Sequence, residues 1–533
     1  RALRRVLFAY CEQRPVIILL EDLHWLDSAS HEYLRQVLRL RQNLSLLVIC
    51  TFRPEYQAPW ADWQRTAELN LPPLSTDDTA ALLQGRLGMH EVPGDMLRQA
   101  IQRSDGNPLF AEEFAGYLAD RNGTGGEHRK GGTSADGPVL PATLENLLLQ
   151  RVSGLEDEPR ALLQAASVVG RRFSAELASE VAGVDGAAPN FLAYLQQQEL
   201  IFKTETSEDE FVFKHALVRE VVYGSLLRSQ RENWHAQAAE VIEREFDGRL
   251  TEVADILANH FQRSARPDRA VRYVAMAGSR AAQMFSIDQA DLRFSQAAEL
   301  IEAHPGCVSE AFLADMLNEW LQALGWRTDY RRMLELTEHY RPRVESLGEG
   351  RPLSRFLSWQ GEATLNVARF DEAIEILNRA LAIGTAIDDH DCIGHACVNL
   401  MWTYSLSSAG RPADAVDRLG DRVLATADGT DGLYLKSLRL VLLSLHVASR
   451  GYIGKGRDYA EQLQVIADDT GYPPAQSFGL IMSGYTDLFS EDYQSGLDKL
   501  RRAVAVSGGA TERLAAESGI ALAQTLSGEV AAG

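Results

Sequence analysis

The stretch VIILLEDLHWLD at residues 16–27 decides the fold expected for the amino-terminal part of the chain. Its first five residues are apolar and partly β-branched, which predicts a parallel strand covered on both faces. Two adjacent carboxylates, Glu21 and Asp22, follow at the carboxyl end, where open α/β sheets bind their ligands. One could hold magnesium while the other orients or deprotonates a water, so both are predicted catalytic and metal-binding residues. The alternative is a strand that ends on two solvated acids.

A second apolar run, residues 44–51, predicts a neighbouring strand. Between the two strands, apolar residues recur at helical spacing, which predicts a strand–helix–strand unit with a right-handed crossover. Thr51 and Arg53 would then share a sheet edge with Glu21 and Asp22, and the Arg53 guanidinium could read a terminal phosphate. Thr51 and Arg53 are therefore predicted cofactor-binding residues. The alternative is an arginine solvated at a strand end.

The sequence GNPLF at residues 106–110 predicts the start of a helix. Asn107 is a favourable N-cap, Pro108 suits the first helical position, and Glu112 and Glu113 follow in the opening turns, where the helix dipole favours negative charge. The amino end of this helix could face a phosphate or a base, so Asn107 and Pro108 are also predicted to bind the cofactor. A helix start of this kind that stands alone is mostly structural.

The phosphate-binding motif GxxxxGK[ST] does not occur in the 533 residues. The chain begins with Arg1, and only about 15 residues precede the first strand, too few for the strand, phosphate loop and helix that would come before it. We therefore expect a truncated ATPase core. Residues 509–533 are rich in small side chains and are expected to trail off without a polar capping helix.

Four motifs together resemble those of one family, the STAND-type AAA ATPases. LEDLHWLD at residues 20–27 resembles their Walker B segment, and TFRPEY at residues 51–56 resembles their sensor strand. GNPLF at residues 106–110 resembles the GxP motif of their lid. FKHALVREVVYGSLLRSQRENWH at residues 213–235 resembles the segment that closes their winged-helix-like module. The resemblance covers nearly the whole chain.

The resemblance implies ATP and Mg²⁺ as cofactors, with Pro108 near the base. Within the family, the motifs are similar to those of ATPases linked to class III adenylate or guanylate cyclases, or to large LuxR-type transcription regulators. The sequence CTFRPEYQAPW at residues 50–60 most resembles the cyclase-linked branch. Three functions stay open: a switch that gates a cyclase, an ATP-dependent LuxR-type regulator, and a protein-binding scaffold with a degenerate ATPase.

The chain is too long for one hydrophobic core. We predict a truncated ATPase core at 1–72, a helical lid at 73–119, a flexible glycine-rich linker at 120–138, a winged-helix-like module at 139–246 and helical repeats at 247–533. In the module, amphipathic helices are expected at 143–152, 160–169 and 191–200, and short strands at 200–204 and 210–214. The fold class is therefore mainly α with an α/β portion.

The carboxyl-terminal half carries a repeat. A small or apolar residue recurs at the start of every second helix, at intervals of 43, 40, 42, 41 and 40 residues: Ala290, Met333, Ala373, Ala415, Gly456 and Gly496. Such regularity predicts stacked helix pairs in a TPR-like solenoid with a concave surface that could bind a protein or a small-molecule inducer. The alternative is a plain helical bundle with coincidental spacing.

Composition limits the partners and the chemistry. The net charge of −21 argues against nonspecific binding to nucleic acid or to an anionic membrane by this region. Five cysteines without disulfide spacing suit a cytoplasmic location. His390, Cys392, His395 and Cys397 lie on different helix faces and are not expected to bind metal together. Self-association is a further expectation for this chain.

Overall fold

The computed structural model describes residues 2–23, 26, 30–31, 34–35, 45–53, 56, 67–87, 94–123, 143–184, 186, 188–204, 207, 209–406, 413–425, 433–507 and 510–527. Most of the crossover helix expected between the first two strands, and most of the predicted linker, lie outside the described residues. The chain forms two compact units, Arg1–Leu147 and Leu148–Gly533.

The first unit contains the predicted parallel strand pair. Helix α1 (Ala2–Gln13) is followed by strand β1 (Val16–Leu20), which pairs in parallel with strand β2 (Leu46–Cys50). Val16 lies opposite Leu46, and Leu20 lies opposite Cys50. Because the pairing is parallel, the residues that follow Leu20 and Cys50 emerge at the same edge of the sheet.

The expectation that both faces of this sheet are covered is wrong for the described strands. Exposure alternates along each strand, as a side-chain period of two requires. One face carries exposed apolar side chains: Ile17 (67% exposed), Leu19 (59%), Leu47 (54%) and Ile49 (45%). Leu23 and Leu34 are buried, and the half-buried Val48 packs against them. An unbroken apolar run does not reveal which of its two faces a neighbouring element will cover.

The rest of the first unit is helical. Helices α2 (Thr76–Leu87), α3 (Gly94–Ser104) and α4 (Pro108–Gly123) pack together around Leu83, Phe110 and Phe114. Helix α4 extends to Gly123 and thus includes the first residues of the predicted linker.

The region predicted to be a winged-helix-like module begins with a helix that crosses the boundary between the two units, and the rest of the region lies in the second unit. Its helices are α5 (Leu144–Ser153), α6 (Asp157–Val169), α7 (Ala175–Ala182) and α8 (Ala188–Gln197). Its strands β3 (Arg172–Ser174), β4 (Ile201–Lys203) and β5 (Glu210–Phe213) form an antiparallel sheet in the order β3-β5-β4.

The three predicted helices and two predicted strands of this module have observed counterparts. Helix α7 and strand β3 were not predicted. β3 has three residues, too few to show an alternating pattern, and it depends on pairing with β5. α7 is short but capped at both ends, since Ser174 Oγ accepts a hydrogen bond from the Leu177 amide at 3.3 Å and Gly183 adopts φ +70°.

The region predicted to be the module ends with α9 (Ala216–Gly224) and α10 (Arg228–Glu245), and α11 (Ala254–Gln262) precedes the stacked repeats. The repeats then run as the following helices: α12 (Pro267–Gln283), α13 (Ile287–Ala303), α14 (Glu310–Arg327), α15 (Tyr330–Glu345), α16 (Arg351–Asn366), α17 (Phe370–Ala386), α18 (His390–Leu406), α19 (Ala413–Ala425), α20 (Leu433–Ser449), α21 (Ile453–Thr470), α22 (Pro473–Phe489) and α23 (Tyr493–Val506).

The marker residue of each predicted repeat lies near the start of the second helix of a pair. Ala290, Met333 and Ala373 are fully buried, as expected where two helices cross closely. At Gly496, an added Cβ would come within 2.7 Å of a Leu488 methyl and 3.0 Å of the Gly484 carbonyl. Gly496 therefore allows α23 to approach α22.

Aromatic rings join distant repeats inside the second unit. The ring of Phe285, which follows α12, stacks on Tyr472, which precedes α22, with centroids 5.2 Å apart. Trp326 of α14 contacts both rings, at 5.3 Å and 6.1 Å. Because nearly two hundred residues separate Phe285 from Tyr472, the stacked pairs must curve back toward their own beginning.

The expectation that residues 509–533 trail off without a helix is wrong. Residues Ala510–Leu526 form helix α24, which packs on α22 and α23. The segment is rich in alanine, glutamate, leucine and glutamine, which are strong helix formers. At Gly519, the missing side chain leaves room for Leu500 and Tyr485, which would lie 2.9 Å and 3.2 Å from an added Cβ.

Candidate functional site

The predicted site residues at the sheet edge are held by the hydrogen bonds of one threonine. The Thr51 amide donates to the Leu20 carbonyl at 2.9 Å, which extends the strand pairing by one residue. The Thr51 hydroxyl then accepts from the Asp22 amide at 3.1 Å, and its carbonyl accepts from the Leu23 amide at 2.9 Å. Thr51 therefore sets the path of the chain on both sides of Asp22.

Asp22 turns the chain at the end of β1. Its φ is +57°, a left-handed conformation that aspartate tolerates better than most residues because its short side chain can bond locally. Glu21, Asp22, Thr51 and Arg53 are all exposed at this edge. The structure thus brings two carboxylates, a hydroxyl and a guanidinium to neighbouring strand ends, as the sequence predicted.

A small apolar cluster supports the edge from behind. Leu23 is 1% exposed and packs with Leu34, Phe52 and Tyr56, whose ring lies 5.4 Å from that of Phe52. Burial raises the pKa of the Tyr56 phenol and of the Cys50 thiol, so both stay neutral near pH 7. The chain segments that carry the two carboxylates are therefore anchored by a small apolar cluster.

The two site residues of the predicted lid, Asn107 and Pro108, lie elsewhere in the first unit. Asn107 caps α4, because its Oδ1 accepts hydrogen bonds from the Leu109 amide at 2.9 Å and the Phe110 amide at 3.4 Å. Pro108 is the first residue of the helix. Gly106 adopts φ +71°, and an added Cβ would lie 2.6 Å from the Leu74 carbonyl oxygen. The expected cap is present, and its contact with a nucleotide remains a prediction.

The two glutamates that follow lie in the second turn of the helix. The first turn of α4 contains no acidic residue. Glu112 lies a turn further on, 3.6 Å from Arg86, and Glu113 is buried at 1% exposure. Glu112 thus pairs with α2, and Glu113 is buried among these helices.

The residues at the sheet edge suit magnesium in their chemistry. Mg²⁺ keeps several waters and takes one or two carboxylates together with phosphate oxygens, which Glu21 and Asp22 could complete. Among the described residues, no group of three or more histidine, cysteine, aspartate or glutamate side chains is placed to enclose a metal ion. The carboxylate pair would therefore need the phosphates of a nucleotide to hold the ion.

A buried polar cluster in the repeats was not predicted. Glu362 of α16 is 2% exposed, and its Oε2 lies 2.5 Å from His395 Nε2 on α18. The Tyr434 hydroxyl of α20 donates to the other oxygen of Glu362. Burial, together with the charge of Glu362, raises the pKa of Tyr434 well above its usual value. The only local signal is a glutamate in the otherwise apolar and small sequence around it.

The cysteines and histidines near residue 395 have separate partners. Cys392 Sγ lies 3.3 Å from the Ser358 hydroxyl, whereas His395 bonds Glu362. Burial raises the pKa of the Cys397 thiol to about 11.

In the described part of the chain, no helix combines the length and the apolar character needed to cross a membrane.

The fold and the edge residues define a class of protein: an α/β portion with acidic strand ends, joined to a helical-repeat arm. No family model matches the chain. It is 25% identical, over 322 residues, to an uncharacterized protein of Rhizobium meliloti (strain 1021). That match covers 60% of this chain and 30% of the relative, so it spans less than a third of the relative's length.

The chain is also similar to a solved structure, the Signal Transduction ATPase with Numerous Domains (STAND) protein with a tetratricopeptide repeat sensor from Pyrococcus horikoshii. The similarity covers 99% of this chain and 80% of that chain, at 15% sequence identity and a TM-score of 0.42. That protein is of the class that the sequence motifs resemble. At this identity and TM-score, the similarity supports no argument about individual functional residues.

Proposed function

We propose that the chain is a regulatory ATP-binding signal-transduction module in which a helical-repeat arm controls a nucleotide-dependent switch. The observation that carries the proposal is the shared sheet edge. There the Thr51 hydroxyl bonds the Asp22 amide at 3.1 Å, so the strand ends that bear Glu21, Asp22 and Arg53 are held side by side. Open α/β sheets bind their ligands at such an edge.

Each edge residue has a role in this proposal. Glu21 and Asp22 hold the magnesium ion and orient the attacking water, and Arg53 contacts the terminal phosphate through its guanidinium. Thr51 positions Asp22. Asn107 and Pro108 present the start of α4 to the nucleotide. When bound, Mg-ATP supplies the phosphoanhydride bond and the negative charge that these groups recognise.

The repeat arm is the proposed sensor. Stacked helix pairs form extended surfaces that bind proteins or small molecules, and an inducer there need favour one state by only a few kcal/mol to shift the switch. The proposed effector is an adenylate or guanylate cyclase domain, which rests on the resemblance of the sequence motifs. A LuxR-type regulator and a scaffold with a degenerate ATPase are the alternatives. The proposed location is the cytoplasm.

The 533 residues should bind ATP weakly or not at all. They contain no GxxxxGK[ST] motif, so the backbone amides and the lysine that bind the β- and γ-phosphates are missing. Appreciable ATP hydrolysis by these residues alone would contradict this prediction of weak binding.

The first experiment is to read the coding sequence upstream of the codon for Arg1. A phosphate-loop motif preceded by a cyclase domain would support the proposed effector. Such a motif at the very start would favour a downstream DNA-binding effector. Its absence would favour the scaffold and overturn the proposed switch.

The second experiment uses a longer product of the same gene that contains a GxxxxGK[ST] motif upstream of Arg1. Glu21→Gln should abolish ATP hydrolysis while ATP binding is kept, because the charge that activates water is lost. Glu68→Gln, an exposed residue of the same unit, is the matched control. Equal hydrolysis by both variants would overturn the catalytic role of Glu21.

A further inference from the structure

The second unit contains a cavity between the end of the winged-helix-like module and the first repeats. Its volume is about 810 Å³, and it lies between α9 and α10 on one side and α11 to α13 on the other. Its lining includes Tyr223, Arg231, Phe261, Arg263 and Leu300. Cavities of 300–1,000 Å³ are typical of small-molecule sites.

Two of the three arginines that line this cavity, Arg231 and Arg263, have no carboxylate within 4.0 Å in the described stretch 209–406. Most arginines in the fully described stretch 209–406 have a carboxylate within 4.0 Å, such as Arg269 with Glu243 and Arg355 with Asp389. Within that same stretch, Arg219, Arg231 and Arg263 have none. In a chain of net charge −21, Arg231 and Arg263 in the lining, with Arg219 close to the lining residue Tyr223, form a local positive site.

Tyr223 holds two of these arginines near the cavity. The guanidinium of Arg231 lies 5.2 Å from the Tyr223 ring centroid, and that of Arg219 lies 5.8 Å from it. Arg231 Nε donates to the Leu226 carbonyl at 3.1 Å, and Arg263 Nη1 donates to the Asn259 carbonyl at 3.0 Å. An arginine has five N–H donors, so each keeps further donors for a ligand.

The pKa values of two buried histidines, His235 and His260, are lowered in part by the same arginines. His235 Nδ1 lies 3.0 Å from His260 Nδ1, and His235 Nε2 lies 3.0 Å from the Tyr223 hydroxyl. Burial, together with the charges of Arg263 and Arg219, lowers the pKa of His260 to about 4. Burial, His260 and these arginines lower the pKa of His235 to about 3. The pair therefore stays neutral and adds no charge at neutral pH.

Glu232 is the carboxylate that lines the cavity, and it already has a partner. Its Oε1 accepts a hydrogen bond from Arg228 Nε at 2.8 Å. It therefore neutralises Arg228 and leaves Arg231 and Arg263 to a ligand.

We propose that this cavity binds an organic phosphate, with Arg231 and Arg263 holding the phosphoryl group and Tyr223, Phe261 and Leu300 contacting the organic part. A phosphate monoester carries about −1.5 to −2 charges and three acceptor oxygens near pH 7, so two guanidiniums can fork onto it at once. A carboxylate offers one charge and two oxygens. The phosphate is thus the better match for several unpaired guanidiniums.

A ligand here would connect the module to the sensor arm. Arg231 lies on α10, whereas Arg263 directly follows α11 and Leu300 lies on α13. The phosphate would therefore fix α10 against the first repeats. This consequence deepens the sensor role proposed above and rests on it, whereas the binding itself does not depend on nucleotide binding at the sheet edge.

Calorimetric titration of the 533-residue protein with inorganic pyrophosphate, without magnesium, tests the site. Arg263→Gln should weaken binding about tenfold to a hundredfold, which is the range for one charge-assisted hydrogen-bonding group. Arg231→Lys keeps the positive charge but loses the paired N–H donors of the guanidinium, and should weaken pyrophosphate binding less than Arg263→Gln does. Arg331→Gln is the matched control, because Arg331 is exposed on α15 and has no carboxylate within 4.0 Å in the stretch 209–406. An unchanged thermal midpoint would show that each variant folds.

The outcomes separate this site from the other candidates. Binding lost in Arg263→Gln and kept in both Arg331→Gln and Arg53→Gln supports the proposal. Binding lost in Arg53→Gln and kept in Arg263→Gln would place the anion at the sheet edge and overturn it. No pyrophosphate binding at ~10 mM, a large excess for a specific site, would overturn it too. So would displacement of pyrophosphate by duplex DNA, which would mark a nucleic-acid surface.

Discussion

The hydroxyl of Thr51 accepts a hydrogen bond from the main-chain amide of Asp22 at 3.1 Å, so the two strand ends of the candidate site are joined directly. Asp22 is held at φ +57°, a conformation that few side chains adopt without support. The contact therefore links the strand pairing to the direction in which the two carboxylates leave the sheet.

Thr51→Val should loosen this edge without disturbing the sheet. Valine has nearly the same shape but no acceptor, so the Asp22 amide must turn to water, at about 0.5–1.5 kcal/mol. Hydrogen–deuterium exchange should become faster at Asp22. Thr51→Ser keeps the hydroxyl and should exchange like the parent. Equal rates in the valine and serine variants would contradict the assigned role.

Gly106→Ala should destabilise the lid helices. An alanine at φ +71° is strained by about 1–2 kcal/mol, and its Cβ would also lie 2.6 Å from the Leu74 carbonyl oxygen, which belongs to the backbone and cannot turn aside. Gly85→Ala is the control within α2, where nothing lies within 4 Å of an added Cβ. That variant should be stabilised by about 0.5–1 kcal/mol. Thermal unfolding of the two variants should therefore shift in opposite directions.

Local patterns predicted much of the fold. The strand β1, the cap at Asn107 and the start of each repeat follow from short-range chemistry: an apolar run, a good N-cap before a proline, and a small residue where helices cross. The repeat markers, such as Ala373, were visible because every helix pair must bury its face on the next one.

Features that depend on distant partners were not predictable. The open face of β1 depends on what packs against it, and the short strand β3 depends on pairing with β5. Glu362 is buried only because His395 and Tyr434, from two other helices, come to it. The shared edge of Glu21 and Thr51 was predicted from parallel pairing, but the bond from the Asp22 amide was not.

Glu362→Ala should be among the more damaging substitutions in the arm. It would leave His395 and Tyr434 buried without their partner, and loss of one side of a buried charged pair costs about 3–5 kcal/mol. Glu362→Gln removes the charge but keeps one acceptor oxygen, and should cost less. Glu375→Ala, exposed on the neighbouring helix α17, is the control. Urea unfolding followed by tryptophan fluorescence would rank the three, and equal midpoints for Glu362→Ala and Glu375→Ala would refute the prediction.

The His235–His260 pair predicts acid sensitivity of the second unit. Their folded-state pKa values of about 3 and about 4 lie below the usual 6.5, so the unfolded chain binds protons first as the pH falls. Stability is therefore full above about pH 6.5 and declines as the pH falls toward the folded-state values, by about 3 kcal/mol for each histidine at pH 4. His260→Phe should reduce this decline, whereas His339→Phe, at an exposed position, should not. A parent protein that is equally stable at pH 7 and pH 4 would exclude the prediction.

Tyr472→Ala should uncouple the early repeats from the late ones. The Tyr472 ring is 1% exposed and stacks on Phe285 at 5.2 Å, and its removal would leave a cavity where the curved arm meets itself. Loss of a buried aromatic side chain costs about 3–5 kcal/mol, and here the contact joins α12 to α22. Peptides from α12 should therefore exchange deuterium faster, although they lie far from the substitution in sequence. Tyr452→Ala removes a ring that is 62% exposed and should leave α12 protected. If α12 exchanges alike in both variants, each helix pair is held by its neighbours alone, and the contact between Phe285 and Tyr472 does not couple the two ends of the arm.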